Sequence, residues 1–106
     1  MVIPLLKPPA CVIVYLQNPR ERFWGIVRYL DAAGIVIEGI DLNSFDEWVG
    51  GIVRGDSGSR PSTIYFPMLR VEKVLVDSAI GGALSMAEQF ERRIGRPLIE
   101  FVEGGE

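Results

Sequence analysis

The chain is divided by turn residues into apolar runs, most of them too short for helices. Ala10-Cys-Val-Ile-Val-Tyr-Leu16 sits between Pro8-Pro9 and Gln17-Asn18-Pro19. A continuous β-branched run bounded in this way predicts a strand buried on both faces. Gln17–Arg22 is a polar turn. Phe23–Leu30 is a second strand, and Gly25 inside it marks a bend or a close backbone approach. Asp31-Ala-Ala-Gly34 predicts a hairpin turn in which Gly34 can take positive φ. Ile35–Leu42 forms a third strand, again with a glycine, Gly39. Thr63–Phe66 and Val71–Val76 form the fourth and fifth, joined by a tight turn at Pro67–Arg70.

Two stretches change to helical period. Ser44-Phe-Asp-Glu47 has the form of a capping box, in which the hydroxyl and the carboxylate satisfy free amides at a helix start. Phe45, Trp48, Val49, Ile52 and Val53 then recur at helical spacing and make one apolar stripe. Gly50-Gly51 limits this helix to a turn or two. Ser85-Met-Ala-Glu88 is a second capping box, opening a helix to about Ile94 with Ala87, Phe90 and Ile94 on one face. Gly95 and Pro97 stop it. Leu98, Phe101 and Val102 make one more apolar turn. Residues 54–62 read as a glycine-rich loop, 77–84 as a linker and 103–106 as a frayed tail. The expected fold is a mainly β single domain over residues 1–106. It comprises a small five-stranded SH3-like barrel at about 10–77, a short helix between strands three and four, and a C-terminal helical extension at about 85–102.

Composition adds exclusions. At 106 residues, 48% hydrophobic and 24% charged, the chain can build one core without staples. No apolar run approaches the roughly 20 residues of a membrane span. Met1–Pro9 lacks the charged start and long apolar stretch of a signal peptide, so a cytoplasmic protein without a membrane partner is expected. Cys11 is the sole cysteine, which excludes an internal disulfide, and its apolar setting predicts a buried, inert thiol. Histidine is absent, which removes the commonest general base and metal ligand. Gly55-Asp-Ser-Gly58 has the form of a serine-protease nucleophile segment, but that chemistry needs a histidine to take the serine proton. Arg54-Gly-Asp56 has the form of an integrin-binding tripeptide and is a coincidence in a chain without an export signal. Asp46 and Glu47, beside Asp41, fall in the first turn of a helix, where negative charge favours the helix dipole. No catalytic residue, metal ligand or cofactor is expected.

A net charge of −3 makes the chain a poor nucleic-acid binder unless its arginines cluster. Arg20 and Arg22 flank a turn. Arg92, Arg93 and Arg96 end a helix, where cations have their own electrostatic reason to stand, with a phosphate-binding patch at these arginines as the alternative. Phe23, Trp24, Phe45, Trp48, Tyr65 and Phe66 supply core or interface, or on an exposed strand face a stacking surface for bases.

Gly25, Val27, Leu30 and Asp31 stand at the spacings of the first motif of Sm-like proteins, and Ile64-Tyr-Phe66, a short turn, Val71 and Val74 match that family's last hairpin. Residues 11–76 thus resemble the Sm-like family, which includes the bacterial Sm-like RNA chaperone. The resemblance implies a five-stranded barrel that assembles into rings, one subunit's fourth strand pairing with the next subunit's fifth. The family's RNA-binding positions are occupied differently: Gly34 and Ile35 stand where an Asn is usual, and Pro67-Met-Leu69 replaces the usual basic pair. RNA contact, at Arg20, Arg22, Asp31 and Arg70, is therefore disfavoured. The expected function is a non-enzymatic homo-oligomeric scaffold or protein-interaction module, with an RNA binder of altered pocket as the alternative. Ile64, Tyr65, Phe66, Val71, Leu75 and Trp48 are the expected interface residues, and the partners are other copies of the chain or another protein. Little blunts the fourth and fifth strands against edge pairing, since only Glu72 and Lys73 carry charge there. The rival is a monomer in which the Met86–Ile94 helix covers that edge.

Overall fold

The computed structural model describes residues 9–56 and 60–103. The opening segment Met1–Pro9, which carries no signal-peptide pattern, therefore lies almost wholly outside the described residues, as do Ser57–Ser59 of the glycine-rich loop and the end of the tail. Five strands form one antiparallel sheet: β1 (Cys11–Leu16), β2 (Glu21–Leu30), β3 (Gly34–Asp41), β4 (Ser62–Pro67) and β5 (Val71–Val76). Their spatial order is β4-β3-β2-β1-β5. Three helices complete the fold: α1 (Phe45–Arg54), α2 (Met86–Ile94) and α3 (Leu98–Glu103).

Alternation along the strands sends side chains to two cores. On one face Trp24 and Ile26 of β2 pack with Phe45 and Val49 of α1, Phe90 of α2, and Leu98, Phe101 and Val102 of α3. Six aromatic pairs among the described residues join Trp24, Phe45, Trp48, Phe90 and Phe101 on this face; Trp48 stacks on Phe90 at 5.5 Å and meets Phe101 edge-on at 6.1 Å. Such pairs add about 0.5–1.5 kcal/mol each beyond their buried area. On the other face Val12, Val14 and Leu16 meet Val27, Ile35, Ile37 and Phe66.

Between the two cores, paired glycines let β2 and β3 approach closely. Gly25 lies opposite Gly39. A Cβ on Gly25 would sit 2.3 Å from the Glu38 carbonyl oxygen, and one on Gly39 would sit 2.1 Å from that of Trp24. No side chain fits between these strands at the crossing.

The expected barrel is met in part. The sheet is five-stranded and antiparallel, but it stays open, with no ladder between β4 and β5 among the described residues. The two edges are linked by the 3-10 turn Met68–Arg70, which carries the chain across the end of the sheet. The Met68 amide donates to Ala33 O at 2.8 Å, and Arg70 O accepts from the Gln17 amide at 2.9 Å. Side chains complete what the ladder does not: Phe66 from β4 meets Phe23 at 5.0 Å, and Val71 and Val74 of β5 reach the same core.

Local expectations fare unequally. The second capping box forms as written: Ser85 Oγ accepts from the Glu88 amide at 3.0 Å and Glu88 accepts from the Ser85 amide at 2.8 Å. The first does not. Ser44 makes no side-chain cap, because the 3-10 turn Leu42–Ser44 runs directly into α1 and is itself capped by Asp41, which accepts from the Asn43 amide at 2.8 Å. Two glycines did not shorten α1, which spans 10 residues; only Val53 of its stripe is exposed. Gly34 does not use positive φ. It is needed instead because a Cβ there would lie 2.5 Å from Phe66 O.

Candidate functional site

The candidate site is the pair of sheet edges. Hydrophobic stripes of α1, α2 and α3 are drawn to the Trp24–Ile26 face, so the helices pack against residues of β1, β2 and β3. Asp77, just past β5, fixes this arrangement. Its carboxylate accepts from the Met86 amide at 2.9 Å, the Ala87 amide at 2.8 Å and the Trp24 indole at 3.0 Å. The start of α2 is thereby pinned over the sheet face.

Among the described residues neither edge pairs with a further strand, and each exposes apolar side chains beside polar ones. On β4, Thr63 and Tyr65 are exposed, Tyr65 at 56%, and Ile64 is half-buried. On β5, Leu75 at 42% and Val76 at 38% are exposed, and Ile80 follows at 77% in the short turn closed by its bridge to Ala83. The expected interface residues thus divide. Ile64, Tyr65, Val71 and Leu75 lie on the edge strands. Phe66 is buried at 6%, and Trp48 packs among Trp24, Phe90 and Phe101, so both serve the cores.

Of the four residues read as RNA contacts, Arg20, Arg22 and Arg70 gather at the β1–β2 turn, and Asp31 stands at the opposite end of β2. Asp31 is committed to the β2–β3 turn, where its carboxylate accepts from the Ala33 amide at 2.8 Å, the Gly34 amide at 3.2 Å and the Tyr29 phenol at 3.0 Å. Those bonds, the Ala33 amide first, hold its carboxyl below the usual range, and the same contact raises the Tyr29 phenol. Arg70 is spent on the Gln17 and Pro19 carbonyls, at 2.8 and 3.1 Å, and on Glu21 at 2.9 Å. Arg20 and Arg22 stand together in a groove at the other end of β2.

Chemistry of other kinds finds little purchase. Burial, and then the nearby Asp77 carboxylate, push the Cys11 thiol up to about 11, so it stays protonated. No group of three potential metal ligands occurs among the described residues, and no helix there is long and apolar enough to cross a membrane. The sequence reading missed Tyr29 as a surface aromatic. It stands beside Val36 and Tyr65 on adjacent strands, because a bulge between Val27 and Tyr29 shifts the register. Comparison with family models, curated proteins and solved structures finds no match.

Proposed function

We propose that the chain is a non-enzymatic, Sm-like homo-oligomeric module that assembles head to tail, the outer edge of β4 in one copy pairing with the outer edge of β5 in the next. The observation that carries this reading is the position of α2, which is anchored by Asp77 over the sheet face, while β4 and β5 each stand at an edge that pairs with no further strand among the described residues. Unpaired edges carrying Tyr65, Leu75, Val76 and Ile80 attract another strand. The two edges belong to opposite ends of one sheet, so the contact is heterologous, and heterologous contacts close into a ring when the rotation permits. The strand order and the close approach at the Gly25–Gly39 pair support a barrel-like sheet of this family's kind, completed by side chains of Phe66, Val71 and Val74. Arg70 is spent on Gln17, Pro19 and Glu21, and Asp31 is committed to the turn at the far end of β2, which speaks against an RNA-contacting face made of these with Arg20 and Arg22. Light scattering coupled to size exclusion tests the assembly: a mass that is a multiple of 11.8 kDa is expected, and 11.8 kDa alone at micromolar concentration overturns it.

A further inference from the structure

We infer that the groove at the β1–β2 turn binds a small phosphate-bearing molecule through Arg20, Arg22 and Lys73. Strand register builds it. Lys73, Tyr15 and Arg22 lie opposite one another on β5, β1 and β2, so the three side chains share one face. Lys73 Nζ sits 4.8 Å above the Tyr15 ring. Across the ring Arg22 is steadied by Asn43, whose Oδ1 accepts from its guanidinium at 3.2 Å. The turn between the strands carries Arg20 into the same groove, whose volume is about 350 Å³. That lies at the small end of ligand pockets, roughly 300–1,000 Å³.

This groove gathers three cations, whereas Arg92 lines a second groove together with Glu88 and Glu91. Arg28, Arg54, Arg70 and Arg93 each hold a carboxylate. Arg20, Arg22 and Lys73 hold none among the described residues. Of the two acids that line the groove, Glu21 is neutralised by Arg70 at 2.9 Å and only Glu72 remains. Three unpaired cations against one carboxylate leave a surplus of two positive charges in a chain whose net charge is −3. Gathered cations repel until an anion joins them, and a phosphate offers the oxygens that two guanidinium forks and an ammonium can share. Glu72 at the margin, and the absence of a continuing cationic track toward Asp31, favour a compact ligand over a polyanion.

Calorimetric titration at about 50 mM salt, where surface charges are little screened, tests this with adenosine monophosphate, ribose 5-phosphate and adenosine. Both phosphorylated compounds should bind and adenosine should not. Arg20→Ala and Arg22→Ala should each weaken binding about tenfold, the loss of one charge-assisted contact. Arg92→Ala, on α2 and away from the groove, should leave binding unchanged. Arg20 and Arg22 are exposed and lie on neither edge strand, so the variants keep fold and mass, checked by circular dichroism and light scattering. Three results overturn the inference: adenosine binding as tightly as its phosphate, no heat from either phosphorylated compound up to roughly 10 mM, or unchanged affinity in both arginine variants. Binding of single-stranded RNA by a protein that ignores the mononucleotide also overturns it, in favour of an RNA site.

Discussion

Replacing Asp77 by alanine removes one carboxylate and strands three donors at once. Two of them, the Met86 and Ala87 amides, belong to the first turn of α2 and are only half-buried, so water recovers part of their bonding. The third is the indole N–H of Trp24, a residue with no exposed surface. An orphaned buried donor costs about 1–3 kcal/mol, and loss of an N-terminal cap costs about 1 kcal/mol more. The sum, taken with incomplete rescue of the amides, is about 3 kcal/mol, a large part of the roughly 5–15 kcal/mol that stabilises a domain. Urea unfolding followed by tryptophan fluorescence measures it directly. Thermal unfolding should fall by roughly 12–24 °C, at about 4–8 °C per kcal/mol for a domain near this size. Asp77→Asn keeps an acceptor but loses the charge, and should cost about half as much. A loss below about 1 kcal/mol for alanine, or an asparagine variant no better than alanine, would refute the assignment of Asp77 as the clamp between β5, α2 and Trp24.

Two further perturbations are specific. Gly39→Ala forces a Cβ against the Trp24 carbonyl and should cost about 1–3 kcal/mol or more, whereas Gly82→Ala, in open space, should be close to neutral by the same urea assay. The Cys11 thiol should resist a disulfide reagent at pH 8 in the folded protein and react in urea. Its folded pKa of about 11 stands above the ordinary 9.0, so the stability it contributes is complete below pH 9 and is lost as pH rises from 9.0 to about 11. Stability that rises over that range would contradict the burial argument.

Much of the backbone plan is legible in the chain because short-range pattern sets it. The apolar run at Cys11–Leu16, the pattern at Val71–Val76 and the Ser85–Glu88 cap each specify their element without distant help. The stripe of α1 is legible in the same way, down to Phe45 and Val49 in the core. What escapes is what depends on partners far along the sequence. Asp77 lies in a segment without periodicity, and its role exists only once Trp24 and Met86 are brought to it. Arg70 is an ordinary turn arginine until its guanidinium reaches Gln17 and Pro19. Ser44 matches a capping box by type, but whether the preceding residues enter as an extended strand or a 3-10 turn decides which side chain caps. The gap between β4 and β5 has the same origin, since ladder closure is a property of the whole sheet. Of the candidate site, the edge strands were legible from their lack of charge. The groove was not, because Arg22 and Lys73 become neighbours only through the register of β2, β1 and β5.

The head-to-tail edge contact is tested most directly by mixing two variants, each blocked on one edge. Leu75→Lys charges the exposed face of β5, and Thr63→Lys charges that of β4; both side chains are exposed, so the fold tolerates the change. Alone, each variant should give 11.8 kDa by light scattering. Mixed in equal amounts, the intact β4 of one meets the intact β5 of the other, and the mass should double without growing further. Single variants that remain as large as the parent, or a mixture that stays at 11.8 kDa, would contradict assembly through these edges.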